Sequence, residues 1–351
     1  MKKRILVAPL NWGLGHATRS IPIIYELIKH GFEPIIASDG VALTLLQKEF
    51  PRLSSIELPS YNITYAKKGK HFKLKMIKDS PKLLKAIKAE KKVTKFIVET
   101  HGIKGIISDN RLGVYNKNVP SVFITHQLNV LTGSTTWLST KMHQKFIKKF
   151  DTCWVPDTPE DINLSGKLGH SNSFEIPTEY LGPLSRFEKK SLKIENDLMV
   201  LLSGPEPQRT LLEKKIFSEL KSYKGKVLFV KGVMEKEQTI QIIGNVTIYN
   251  FMTSNLLEKT INKSDIIMSR SGYTTIMDLA KLNKKAFFIP TPGQFEQEYL
   301  AKRLTDLGIA PSCKQADFTI DKLERVSSFE GLKAFDYSVD FKRLFNFFER
   351  E

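Results

Sequence analysis

Several stretches of this sequence carry residue types suited to an anionic, hydroxyl-rich substrate. One is Ser269-Arg270-Ser271-Gly272, a small-residue turn between the apolar run 265–268 and a segment, 274–281, whose apolar residues Ile276, Leu279 and Ala280 fall at helical spacing. Strand, tight turn, helix is the grammar of an anion site. The first N–H groups of a helix have no internal partner and carry about half a positive charge, and the small residues Ser271 and Gly272 leave them open to a phosphate. The next apolar run, 286–290, opens into Thr291-Pro292-Gly293-Gln294-Phe295-Glu296-Gln297-Glu298. A polar loop at a strand end is what a sugar needs.

A second constellation lies near the start, in Asn11-Trp12-Gly13-Leu14-Gly15-His16-Ala17-Thr18-Arg19-Ser20. Gly13 and Gly15 let the backbone double back over the preceding strand. His16 then stands at the mouth of a helix running to about His30, where the positive dipole end favours the neutral imidazole, the form a general base needs to take a proton from a sugar hydroxyl. Asp109 and Asn110 follow one apolar run, and His126 and Gln127 another, so all four line the crevice of a parallel sheet. Asp109 is either an alternative base or the residue that orients His16. Read as a dinucleotide fingerprint, the loop has Thr18 where the third glycine belongs, although Asp39 stands where a dehydrogenase holds its ribose.

Length and composition describe the frame for these groups. At 351 residues, 41% apolar and 26% charged, the chain is globular in composition and too long for one ordinary core. Apolar runs at 4–10, 33–38, 55–58, 104–108, 119–125 and 152–156 alternate with helical stretches at 41–50, 83–100 and 135–150. That alternation is the signature of a doubly wound parallel sheet. Past Gly182-Pro183-Leu184-Ser185-Arg186 it restarts, with strands at 198–202, 226–230 and 246–251, helices at 210–223 and 255–263, and further on a strand near 309–312 and a helix about 320–326. The expected fold class is α/β, with doubly wound Rossmann-like domains at 1–185 and 186–334 and an aromatic helix in 335–351.

The net charge of +17 calls for an anionic partner. Its densest run, Lys67 to Lys95, interleaves lysines with apolar residues; it reads either as a helix settling on an anionic membrane or as a solvated helix packing its stripe on its own domain, with Pro81 dividing it in two. Nucleic acid is not expected, since no aromatic ladder, zinc spacing or reading module accompanies the charge. Cys153 and Cys313 have no metal or disulfide spacing. With no signal peptide and no membrane-spanning segment in view, the expected location is cytoplasmic, peripheral on the inner face of the plasma membrane if the lysine run binds lipid.

On Arg270-Ser271-Gly272, Asp278, the GQFEQ loop and the glycine loop ending in His16, the chain resembles nucleotide-sugar glycosyltransferases of the GT-B fold. It is similar in particular to family 28, MurG-like N-acetylglucosaminyltransferases that make the lipid-linked cell-wall precursor, and to bacterial and archaeal proteins with a GHxxRS start. The resemblance implies two domains facing each other across a cleft, with a C-terminal helix crossing back to the first. It implies a UDP-sugar held by the second: diphosphate over Ser271, Gly272 and the Ser203-Gly204 turn, Asp278 on the ribose, Gln294, Gln297 and Glu298 toward the sugar, Phe251 and Met252 on the uracil, Arg270 and Arg186 facing phosphate. The acceptor side would carry His16, Asp109, His126, Gly13 and Gly15. Asp278 stands for the family's usual Glu, Glu298 for its second Gln, and Pro205-Glu206 depart from its third glycine loop.

The activity implied is inverting transfer of a sugar, N-acetylglucosamine or a related hexose, from UDP to a hydroxyl acceptor on a lipid-linked or cell-envelope glycan. No cofactor beyond the donor and no metal is expected, in keeping with the absence of any Asp-x-Asp pair. The rivals are a nucleotide-sugar epimerase or hydrolase of the same fold, an NAD(P)-dependent dehydrogenase, and a non-catalytic sugar-nucleotide binder.

Overall fold

The computed structural model of the chain describes residues 2–61, 72–171, 174–233, 235–333, 337 and 339–349, with the backbone alone at 72–80 and 134. It forms two compact units, one built from the chain up to Arg186 together with the C-terminal stretch, the other beginning at Phe187.

The first unit is a seven-stranded sheet of β1 (Arg4–Pro9), β2 (Glu33–Ser38), β3 (Ser55–Glu57), β4 (Ile103–Asp109), β5 (Ser121–Ile124), β6 (Thr152–Val155) and β7 (Thr178–Tyr180), in the order β3-β2-β1-β4-β5-β6-β7. Every pairing is parallel. The central strands are apolar on both faces, with Ile5, Leu6, Ile106 and Ile107 fully buried, as a sheet covered on both sides requires. Helix α1 (Gly15–Lys29) buries Ile21, Ile24 and Leu27 and ends at Gly31, whose φ of +86° allows Phe32 N–H to close on Leu27 O (3.0 Å) and Gly31 N–H on Ile28 O (3.1 Å). The chain runs outward from β1 to β3, then crosses back to start β4 on the other side of β1. The order therefore reverses between β1 and β4.

Helix α3 (Phe72–His101) runs through Pro81 without a break, which corrects the expected division into two pieces. Pro81 is exposed, so the carbonyl that loses its internal bond can turn to water. From Ile87 onward the helix buries Ile87, Glu90, Thr94, Ile97 and Val98 at helical spacing, and Ile97 and Val98 join the core under β1 and β4. The lysines at 82, 85, 88, 91, 92 and 95 face outward. Residues 67–71 of the lysine run lie outside the described residues.

At the other end of the chain, α9 (Phe341–Phe345) and the turn after it bring Phe345 and Phe348 onto Trp154 of β6, with ring centroids 6.3 and 6.1 Å apart. A Cβ on Gly105 of β4 would stand 2.3 Å from the Phe348 ring, so packing demands glycine there.

The second unit holds β8 (Asn196–Leu201), β9 (Val227–Val230), β10 (Ile240–Ile243), β11 (Val246–Tyr249), β12 (Ser264–Ser269) and β13 (Lys285–Phe288) in the order β10-β11-β9-β8-β12-β13. All pairs are parallel except the β10–β11 hairpin at the edge. Helices α5 (Gln208–Leu220), α6 (Ser254–Asn262), α7 (Tyr273–Lys281) and α8 (Phe295–Asp306) connect them. Here the order reverses between β8 and β12. Two expectations are corrected. Among the described residues the stretch 309–312 makes one bridge, Ser312 to Phe288, because its backbone is partly spent closing the end of α8, and the helix near 320 is a 3-10 helix, Ile320–Ser328.

Candidate active site

The reversal of the first sheet collects a buried charged cluster. Asp109 ends β4, His16 and Arg19 lie one turn apart at the head of α1, which follows β1, and His126 follows β5. Arg19 grips both oxygens of Asp109, through Nε to Oδ2 at 2.5 Å and through Nη2 to Oδ1. Its Nη1 lies 2.9 Å from His126 Nδ1, and His16 Nδ1 lies 2.8 Å from Asp109 Oδ1. Arg19 and Asp109 are each 1% exposed, and the His16 side chain 11%.

Burial alone would push the Asp109 carboxyl up. The Arg19 charge, then His16, reverse this and hold it at about 2. Burial is also the main reason His16 is lowered from 6.5, with Arg19 and His126 adding to it and Asp109 opposing. At neutral pH the result is an ionised carboxylate against a neutral imidazole. His143 on α4 (Thr136–Ile147), near His126, is lowered to about 4, chiefly by burial.

Asn110, at φ 59°, turns the chain after Asp109 and starts a second buried network. Arg111 donates to Pro9 O (2.9 Å), to Glu90 Oε1 (2.7 Å) and to Asp39 Oδ1, while Tyr61 donates to Glu90 Oε2 (2.6 Å). Asn11 holds the other oxygen of Asp39 at 3.1 Å. Asp39 is therefore committed to Arg111 and Asn11, which corrects its reading as a dehydrogenase's ribose ligand. Burial raises the Glu90 carboxyl above the ordinary value despite these bonds. Gly13 takes φ +72°, as its place in the loop before α1 required, and Gly15 is the first residue of that helix.

The reversal of the second sheet is built differently. Gly272 caps α7 with φ −71° and ψ 139°, and a Cβ there would meet nothing nearer than Gln297 Nε2 at 4.0 Å. Ser271 is buried and its hydroxyl donates to Gln297 O (2.8 Å), so only its backbone faces the turn. Gln297 accepts from Thr291 N–H through Oε1 (2.8 Å), which leaves its Nε2 toward Gly272. Thr291 Oγ1 is buried with no hydrogen-bond partner among the described residues and stands 3.9 Å from the Cβ that Gly204 lacks. Ser203 and Gly204 are exposed at the end of β8, Gly204 at φ +104°. Ser203, Gly204, Ser271, Gly272, Thr291 and Gln297 thus gather at the carboxyl ends of three adjacent strands, where ligands bind such sheets.

Other expected contacts need correcting. Arg270 is 1% exposed and points inward, donating to Ile289 O (3.1 Å), Pro290 O (3.0 Å), Gln208 O (2.9 Å) and Gln315 Oε1 (2.7 Å). It does not reach out to a phosphate. Burial lowers it to about 10, so it stays charged, and with neutral oxygens for partners it adds positive potential beneath the turn. The backbone of Phe251 is already occupied, its N–H by Asn250 Oδ1 (2.9 Å) and its carbonyl by Gln238 Nε2 (2.8 Å), leaving the neighbouring half-buried Met252 as the nearer backbone for a base. Glu298 is exposed, with Oε1 held by Gly293 N–H (2.8 Å), and Gln294 caps α8. Asp278 lies half-buried in the second turn of α7, and Arg186 is half-buried at the end of the first unit.

Sequence reasoning passed over Arg19, Thr291 and His143. Arg19 had a readable signal, its place three residues after His16 on one helix face. Among the described residues no group of three or more His, Cys, Asp or Glu is placed to hold a metal ion.

Residues 207–328 match the Glycosyltransferase family 28 C-terminal domain. The chain is 24% identical over 303 residues to an uncharacterized glycosyltransferase of Methanopyrus kandleri, covering 81% of this chain and 84% of that one. It is 25% identical over 340 residues to the UDP-N-acetylglucosamine--N-acetylmuramyl-(pentapeptide) pyrophosphoryl-undecaprenol N-acetylglucosamine transferase of Haemophilus ducreyi, covering 92% and 88%. Among solved structures, the kitacinnamycin glycotransferase superposes with a TM-score of 0.65 at 13% identity (93% and 89% covered), and Acinetobacter baumannii MurG with 0.59 at 14% (100% of both).

Proposed function

We propose that this chain, a GT-B glycosyltransferase of the family 28 type, moves a sugar from a UDP-sugar to an acceptor hydroxyl with inversion at the anomeric carbon. The observation that carries the reading is the His16–Asp109 pair at the head of α1, a neutral imidazole braced by a carboxylate that stays ionised. His16 takes the proton of the acceptor hydroxyl as its oxygen attacks the anomeric carbon, and Asp109 stabilises the imidazolium that forms. The new C–O bond forms on the face opposite the bond to the β-phosphate oxygen, which breaks with its electron pair onto the departing UDP. Attack from one side and departure from the other inverts the centre.

The second sheet's reversal suits the donor. Backbone amides at the head of α7, Gln297 Nε2 and the Thr291 hydroxyl are neutral donors suited to the charge that grows on the diphosphate, with the buried Arg270 behind them. Asp278, one turn further on, takes the ribose hydroxyls. The Haemophilus ducreyi relative's name makes UDP-N-acetylglucosamine the first donor to try, and a lipid-linked glycan the first acceptor class. The outward lysines of α3 offer an anionic membrane a docking face for delivering such an acceptor. Among the described residues no helix is long and apolar enough to cross a membrane.

The test is UDP release from a panel of UDP-sugars with and without acceptor. Release that depends on acceptor supports transfer, whereas turnover of donor alone supports the epimerase or hydrolase and removes this reading. Asp278→Ala is expected to weaken UDP binding by about 10- to 100-fold in calorimetry, the worth of a charged hydrogen bond. Unchanged affinity would take Asp278 out of the site.

A further inference from the structure

We infer that Arg19 is a positioning residue that locks two histidines in opposite tautomers, His16 with its proton on Nδ1 and His126 with its proton on Nε2. The division of labour that follows rests on the transferase reading above; the tautomers themselves do not.

A guanidinium has donors only and keeps its charge in proteins, so a nitrogen 2.9 Å from Arg19 Nη1 offers a lone pair where no carboxylate competes for its proton. That nitrogen is His126 Nδ1, and the His126 proton is therefore on Nε2. Gln127 places its amide nitrogen 3.5 Å from Nε2, and a half-turn of that amide brings its oxygen there to accept the proton. His16 is set by the opposite partner. Its Nδ1 is 2.8 Å from Asp109 Oδ1 and also 2.8 Å from Arg19 Nη2, and only one of these contacts is a hydrogen bond in a given tautomer. A lone pair on Nδ1 would face an ionised oxygen at that distance. A proton there faces a guanidinium whose charge that same carboxylate already balances, which is the smaller cost. Nδ1 therefore carries the proton, and Nε2 keeps the lone pair.

The groups facing His16 are Asp109 from β4, Arg19 from its own helix and His126 after β5; His126 in turn meets His143 of α4. One arginine thus separates two neighbouring imidazoles by role. His16 Nε2 accepts the hydroxyl proton, and His126 Nε2–H donates and cannot stand in as the base.

Selective 15N labelling of the chain's seven histidines, with two-bond 15N–1H correlation spectra of the free protein at neutral pH, reads this directly. Loss of a signal set in His16→Asn and in His126→Asn assigns each ring. Unprotonated Nε2 for His16 together with unprotonated Nδ1 for His126 is the expected result; one shared tautomer, or the reverse pair, overturns the inference. Arg19→Gln should bring the Nδ1–H form of His126 into the spectrum and move the acid limb of the kcat/KM profile to higher pH, because a cation that depresses His16 has gone. Arg19→Lys should return that limb to its original place without restoring the His126 lock, since one ammonium lacks the fork. An Arg19→Gln protein that only melts earlier, with spectra and profile unmoved, would leave Arg19 a structural residue. If Arg19→Gln does not fold, the wild-type spectra decide. They require no sugar nucleotide, so a protein with these tautomers and no transfer activity would sink the transferase reading alone.

Discussion

The two sheets reverse their strand order in the same way, yet the chain equips the two reversals with opposite kinds of group. In the first unit the reversal between β1 and β4 holds buried side-chain charge, with Asp109, Arg19, His16 and His126 in contact. In the second, the reversal between β8 and β12 offers backbone amides, a hydroxyl and a carboxamide around glycines, with Arg270 turned inward. The contrast fits the tasks proposed for the two sides. A base needs a proton affinity set by its neighbours, and only desolvated, mutually fixed charges set one. A departing anion needs dipoles already aimed at it, and those cost no desolvation of charge.

Single changes should therefore fail in different ways on the two sides. Asp109→Ala leaves Arg19 buried without its counter-charge and should lower unfolding stability by about 3–5 kcal/mol in urea titrations; a loss under 1 kcal/mol would mean the cluster is not held by charge. His16→Ala keeps that pair and should lower kcat by about 10²–10⁴-fold, with UDP affinity unchanged in calorimetry. Loss of UDP binding in that variant would break the partition of roles between the two units.

Gly272→Ala tests the other side. Its Cβ fits the protein, since φ is ordinary and nothing stands closer than 4.0 Å, so stability should move by under about 0.5 kcal/mol. The methyl would stand over the turn where a phosphate approaches, and UDP affinity should fall by about tenfold, the cost of displaced backbone bonds. Unaltered affinity would place the diphosphate elsewhere. Thr291→Val, which removes one buried hydroxyl lacking a partner among the described residues, should change stability little and weaken UDP by only a few-fold, within the worth of one neutral hydrogen bond. A larger loss of stability than of affinity would make Thr291 structural.

Much of the architecture was legible because it is local. Apolar runs alternating with helical stretches announced the parallel sheets, and the small residues at 271 and 272 announced a helix head free of side chains. The strands β7 and β10 escaped notice since each is short, and β10 leaves Ile240, Ile242 and Ile243 exposed, so no burial pattern marks it. The site was legible in part. His16 and Asp109 could be placed at strand ends, but a contact between residues 93 apart leaves no periodic trace. Asp39 looked free for a ribose because nothing in its neighbourhood of the chain reveals Arg111, and Arg270 looked outward for want of any sign that it is enclosed.

By itself the sequence determined which groups stand at the strand ends and helix heads, because hydrophobic spacing and turn chemistry act within a few residues. It determined too that small residues, Ser271 and Gly272, precede the helix after β12. Tertiary structure alone decided how the charges are spent: Arg19 on Asp109 and His126, Arg111 on Asp39 and Glu90, Arg270 on carbonyls. Coulomb interactions in a buried site depend on distances that packing sets, and packing brings together residues that chain order keeps apart.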